Sequence, residues 1–453
     1  MRQRRVVAGR RVAVVIAAVA AFAVCVSACT TSWPMYHGNA ARTGDDRLDR
    51  GLFPIKHAWT ASLDGKVYGQ PVVWAGRVLA VTEHDTVYAL DGHNGHVLWS
   101  RHVGTAMTNV VAQVGCGNID PLGITSTPAI DTTTNRIFVV AAIQDAPKVI
   151  HHELFGLDVK SGAVRVSTNA DPGGAQNPLF IQQRAALALA NGRVYVGYGG
   201  YAGDCGAYHG WLVSLTEAGN AKVAFDVTPH TGQGAIWAPG GPAVDASGRV
   251  YIATGNPNPV ARSGDYGESV LKFDPTLHLL HHFSASNATD DEDLGSVSPA
   301  LLGSNLVFQI GKQHAGFLLE SADLSKLQSM KVCSGEAFGG TAFDGKHLYV
   351  PCQEHIQEVN INTNARSMSL GRAGPSTISA APPILAGGAL WSIDTARAKL
   401  YAINPSTGKT ITTVTLTGVP HFASPSAALG LLLIGTNTGV TALDGPSGPP
   451  SSS

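Results

Sequence analysis

Six cysteines and 17 histidines are the side chains of this 453-residue chain best suited to redox or metal chemistry. Cys25 lies in an N-terminal apolar run and Cys29 directly follows it, which leaves Cys116, Cys205, Cys333 and Cys352. None of these four stands in a C-x-x-C pair, the spacing at which two thiolates reach one tetrahedral ion, so a metal site built from them is not expected. In an exported chain an even set reads as a disulfide framework. Three pairings are open. The sequential one, Cys116–Cys205 with Cys333–Cys352, is expected because each bond joins segments of neighbouring repeats. The histidine pairs at 151–152 and 281–282, and His93 with His96, lack zinc-helix spacing, for HHEL at 151–154 has no second His four residues on. They are expected at the surface or between strands. No G-x-S-x-G nucleophile elbow is present, and no glycine-rich phosphate loop runs from a strand into a helix. A formal net charge of −1 offers no basic field for a phosphate backbone, which excludes nucleic acid as an expected partner.

Export is written at the N-terminus. Arg2, Arg4, Arg5, Arg10 and Arg11 precede VAVVIAAVAAFAVCVSA (12–28), a run without charge. A basic stretch followed by an apolar one is the pattern of a signal peptide. The run ends VSAC, which resembles a bacterial lipobox, so residues 1–28 are expected to be removed and Cys29 to carry the lipid. Gly9-Arg10-Arg11 hints at a twin-arginine signal. The mature chain is then mildly acidic, attached to the cell membrane through its lipid only, extracytoplasmic and monomeric.

The elements that must position any site are short and repeated. ALDGHNGHVLW (89–99) ends a strand, turns through Asp, Asn and Gly, and places Trp99 four residues past the second Gly. Copies follow at FGLDVKSGAVRV (155–166), LKFDPTLHLLHHF (271–283), VNINTNARSMSL (359–370) and YAINPSTGKTITTV (401–414), with a partial one at 440–445. Each follows an apolar strand such as GRVYIATG and a small-residue strand such as GGPAVDASG. Eight units of roughly 40 residues match the period of a β-propeller blade. The Asp caps the turn's amides, the Gly supplies a left-handed position, and the Trp falls on the outer strand, where its ring wedges against the next blade. HAWTASLDG (57–65) reads as an orphan strand that completes the last blade and leaves no open edge. The expected architecture is therefore all-β, an eight-bladed propeller over 56–445 closed by an N-terminal strand. Residues 29–55 form a tether and lead-in, and 446–453 a tail disordered by composition.

The A-x-D-x-x-[TN]-G-x-x-x-W pattern, the lead-in WPMYHGNAARTG (33–44) and the blade GAIWAPGGPAVDASGRVYIATGNPNP (234–259) resemble the pyrroloquinoline-quinone (PQQ) repeat family over about 33–445. That family holds quinoprotein alcohol dehydrogenases and non-catalytic envelope lipoproteins. The resemblance implies a funnel in which PQQ lies beside Ca²⁺, with oxygen ligands from Asp204, Asn256 and Asp293 and a catalytic carboxylate at Asp293 or Asp291. It implies Trp237 stacked under the cofactor and Lys312 donating to the quinone oxygens. An oxygen-ligated hard cation polarises a carbonyl, while a carboxylate takes the alcohol's proton. Three features depart from the dehydrogenases. Cys116 is followed by Gly117, so the adjacent Cys pair that covers the quinone is missing; Glu292 replaces the Trp before the catalytic Asp; and no CxxCH haem site exists.

The departures favour a membrane-tethered binding or scaffold module. Its long loops, 104–122, 198–211, 256–268 and 285–296, would grip an envelope protein, glycan or small molecule. A PQQ- and calcium-dependent alcohol or sugar dehydrogenase is the alternative.

Overall fold

The computed structural model describes residues 32–46, 52–285, 291–303 and 305–446. The leader with Cys29, Asp290 of the acidic loop and all but the first residue of the tail lie outside the described residues.

Eight sheets follow one another along the chain, antiparallel throughout except that Asp45–Asp46 of the lead-in adds a parallel strand beside Ile384–Ala386. Blade 1 runs Val72–Trp74, Arg77–Val81, Thr86–Asp91 and Val97–His102 from axis to rim. The inner strands of blades 2 to 8 are Ala129–Asp131, Ala188–Ala190, Ala243–Val244, Ala300–Leu301, Ala342–Phe343, Ile384–Ala386 and Ser426–Ala428. They are short and rich in Ala because eight of them crowd one axis. Burial grades outward, from the fully buried second strand Leu431–Thr436 to outer strands such as Val97–His102, which faces water.

The recurrent turn works as its residues require. Asp91 Oδ1 accepts from the amides of His93 at 2.8 Å and Asn94 at 3.3 Å. Trp99 Nε1 donates to the Val159 carbonyl of blade 2 at 3.0 Å, and its ring lies over Gly162. Gly162 has φ +68°, and a Cβ there would meet Trp99 Cε3 at 2.6 Å, so glycine is demanded twice over. Where the Trp is lost the seam thins: Val166 takes the place of the ring over Gly219 of blade 3.

Lys56–Ser62 pairs antiparallel with Gly439–Asp444 as the outermost strand of blade 8, so the N-terminal strand closes the ring. Trp59 repeats the seam against blade 1, lying over Gly95 and donating to the Gly92 carbonyl at 3.2 Å.

Within the lead-in, residues 33–46 do more than enter the fold. They cross one end of the central channel and bond to inner strands of blades 1, 2, 4, 6 and 7. Val73 gives its amide to the Trp33 carbonyl, Ile130 to Pro34, Val244 to Ala40, Phe343 to Thr43 and Leu385 to Gly44. Buried Arg42 donates to the Pro242, Tyr36 and Leu187 carbonyls at 3.0, 3.2 and 2.9 Å. Burial drives His37 down to about 3, so its ring is neutral between Thr341 O and Ser424 Oγ. The plug seals the face that carries the short turns. The opposite face carries the long loops.

Candidate functional site

Three glycines let a turn from the blade 4–5 connection press closely between blades 4 and 5. A Cβ on Gly255 would lie 2.3 Å from Asp293 Oδ1, one on Gly295 2.6 Å from the Gly255 amide, and one on Gly311 2.3 Å from the Asp293 carbonyl. In that close fit Asp293 is buried, and its Oδ1 accepts from the Asn256 amide at 3.1 Å. Its Oδ2 pairs with Lys312 Nζ at 2.9 Å, and the same ammonium reaches Asp291 Oδ1 at 2.5 Å. Asp293 and Lys312 side chains are 10% and 12% exposed, Asp291 77%, so the triad runs from interior to water.

The charges shape one another. Burial lifts Asp293 above the usual carboxylate range, opposed by Lys312 and the Asn256 amide. Burial also pulls on Lys312, but the two carboxylates outweigh it and hold the ammonium above its ordinary value. For Asp291, burial acts upward and the Lys312 bond prevails, which leaves it low.

Around this triad lie the other expected residues. Trp237 sits with Lys312 Nζ 5.5 Å from its ring centre. Asn256 Nδ2 donates to Gln233 Oε1 at 3.2 Å. Asp204, with φ +53°, accepts the Tyr208 hydroxyl at 2.5 Å. Burial and the nearby acids Asp204, Asp293 and Asp291 push the Tyr208 phenol far up, so it stays a donor. All six residues expected at a funnel, Asp204, Trp237, Asn256, Asp291, Asp293 and Lys312, line one pocket of about 360 Å³ on the long-loop face. That volume falls in the range of small-ligand sites. No three acidic oxygens of this pocket gather within 4.8 Å among the described residues. Among the described residues, the one group of three potential ligand side chains that close together, Cys352, Glu354 and His355, spends its cysteine in a disulfide.

The four cysteines form Cys116–Cys205 and Cys333–Cys352. The second lies in the buried core between blades 5 and 6. The first is at the rim of the pocket, where a Cβ on lining residue Gly203 would stand 3.1 Å from Cys116 Cβ.

Sequence reasoning missed Arg184, Phe422 and Tyr208. Arg184 is the lone charge in QQRAALAL, and a cation in a run of small strand residues near an axis was the available signal. Its Cζ stands 4.5 Å from the Phe422 ring centre and 6.0 Å from that of Trp237. Its Nη2 is buried without a hydrogen-bond partner. Burial lowers this guanidinium to about 10, which leaves it charged at neutral pH.

Comparison places the architecture among known propellers. A family model described as outer membrane protein assembly factor BamB matches residues 56–208. Among curated proteins none matches. The quinohemoprotein alcohol dehydrogenase of Comamonas testosteroni superposes with TM-score 0.70 at 14% identity, covering 94% of this chain and 82% of that one. A europium-containing methanol dehydrogenase gives 0.67 at 14% identity with 90% of each chain covered. BamB from Moraxella catarrhalis gives 0.59 at 12% identity, covering 86% of this chain and 99% of that one. At such identities the likeness is one of fold.

Proposed function

We propose that this chain is an exported, lipid-anchored dehydrogenase that uses PQQ and calcium to oxidise an alcohol or sugar hydroxyl. The observation that carries the reading is the convergence of a buried carboxylate, its ammonium partner, an indole and two further oxygen-bearing side chains on one pocket. The donor set suits a flat polyanion. Trp237 and Phe422 supply aromatic faces, while Arg184 keeps a buried donor without a partner that a ligand carboxylate satisfies. Asp204, Asn256 and Asp293 supply the oxygens a hard cation takes. When bound, the quinone supplies a two-electron acceptor and calcium a Lewis acid.

The chain's own residues do the rest. Asp293 takes the substrate hydroxyl proton, and the burial that raises its basicity makes it a better acceptor than a solvated carboxylate. Lys312 keeps it ionised before the proton arrives. Trp237 and Arg184 fix the plane and one end of the ligand, and Tyr208 orients Asp204.

Soaking the purified mature protein in PQQ and Ca²⁺ tests this. A retained quinone absorbance and dye reduction with simple alcohols are expected, both lost in Asp293→Ala. No retained cofactor at saturating ligand refutes it. The second reading, a scaffold whose long-loop face grips an envelope partner, draws on the BamB-described match over 56–208. It predicts no retained quinone.

A further inference from the structure

The pocket's oxygen-bearing side chains are not held alike. Asn256 stands three residues past Val250–Ala253 and gives its amide to Asp293, which the close fit against Gly255 and Gly311 holds within the blade 4–5 connection. Asp204 lies at the tip of the long insert between Arg193–Tyr198 and Trp211–Thr216 of blade 3, where residues 202–204 and 206–207 are exposed. That tip meets a second insert, the blade 1–2 connection, where Tyr201 shares an apolar cluster with Val110 and Ile119, and it is bonded to it just beyond. Cys205 is bonded to Cys116, Cys205 N donates to Cys116 Sγ at 3.2 Å, and Gly117 N donates to Ala202 O at 3.1 Å. The stitched stretch supplies a whole wall of the pocket: Asn118 from one insert, Tyr201, Ala202, Gly203 and Asp204 from the other.

We infer that the Cys116–Cys205 disulfide is a positioning element of this pocket, a clasp that holds in place the loop carrying Asp204, whose carboxylate the buried Tyr208 hydroxyl then orients. The inference rests on the cation-holding role proposed for Asp204. A cation gains from an oxygen only when the oxygen is already in place, because an exposed loop must otherwise be ordered at the moment of binding. The bond joins residues 89 apart in sequence, Cys116 from the connection that leads into blade 2 and Cys205 from blade 3, so no turn within either insert can replace it. Cys333–Cys352 has no such part, being enclosed in the core away from the pocket.

The test uses the full mature chain and Tb³⁺, a hard cation whose luminescence Trp237 can sensitise. Cys116→Ala/Cys205→Ala is expected to weaken Tb³⁺ binding about tenfold. Asp204→Asn is expected to weaken it in the wild type but to add less than about twofold in the double-alanine background, since both changes remove one placed oxygen. Fully additive losses overturn the inference. Hydrogen exchange gives a reading that needs no cation. Amides of 201–206 and 115–118 are expected to exchange about tenfold faster in the double variant, while Trp211–Thr216 stays protected. Unchanged exchange at 201–206 overturns the clasp. If the wild type takes up no Tb³⁺, the cation reading of the pocket falls and the exchange result alone decides the clasp. Should the double variant not fold, a dithiol cleaves the same bond in the wild-type protein. Two thiols form there and the reagent becomes its own disulfide, and alkylation then holds the thiols for the same measurements.

Discussion

Replacing Lys312 by Met isolates the electrostatics of the site. Lys312→Met keeps most of the stem that lies against Trp237 and removes the charge that stands 2.9 Å from Asp293 and 2.5 Å from Asp291. At an effective dielectric constant of about 20, a contact this close carries roughly 4–6 kcal/mol of gross attraction. Solvent and relaxation reduce that, and an opposite charge at contact moves a carboxylate by about 1–3 pH units. Asp293 already stands above the usual range because it is buried, so the variant is expected to titrate about 1–3 pH units higher than the wild type. The sign follows from the pair. Lys312 is raised in the folded protein, so its contribution is present while it is charged and is lost as pH rises through its folded value. Asp293 must be ionised for the pair to exist. Near neutral pH the variant is therefore less stable by about 1–4 kcal/mol, at 1.36 kcal/mol per unit. Infrared titration of the protonated carboxyl band, with Asp293→Asn to assign it, measures the midpoint, and urea unfolding measures the stability. A midpoint that stays in place or falls refutes the coupling and the basicity argued for Asp293.

Gly255→Ala puts a Cβ 2.3 Å from Asp293 Oδ1; it is expected to cost about 1–3 kcal/mol in thermal unfolding and to abolish PQQ retention, with far-ultraviolet dichroism unchanged. Trp99→Ala removes a seam between blades 1 and 2 and is expected to cost about 2–4 kcal/mol by denaturant titration; Gly162→Ala attacks the same seam from the other side. Buried Glu83 and Asp85 are pushed up to about 7 and about 8, by burial first and, at Asp85, by Glu83 and Asp64 as well. Because the folded state holds these protons more tightly than the unfolded one, the contribution of this pair to stability is greatest near pH 4 and below and falls as pH rises toward 8. Glu83→Gln/Asp85→Asn is expected to flatten that decline in unfolding experiments across the same range.

Much of this molecule was legible along the chain. The 40-residue period, the Asp-and-Gly turn at 91–95 and the placement of Trp99 and Trp59 are local, because a hairpin's conformation depends on residues a few positions apart. The closing strand could be inferred from its isolation before the first blade. The types and chain order of Asp204, Trp237, Asn256, Asp293 and Lys312 were equally readable, since a motif carries its residues with it.

Their convergence was decided by ring closure. Arg184 and Phe422 lie 238 positions apart and stack only because blades 3 and 8 face one axis. The orphaned Nη2 on which the proposed ligand role of Arg184 rests has no counterpart in sequence, for it depends on which partners the fold leaves out of reach. The plug at 33–46 was likewise hidden, because its bonds run to inner strands spread from Val73 to Leu385. Periodicity reports what each blade does for itself. What the blades do for one another, burying a carboxylate beside an ammonium and tying Cys116 to Cys205, is set by distances that exist only once the circle is complete.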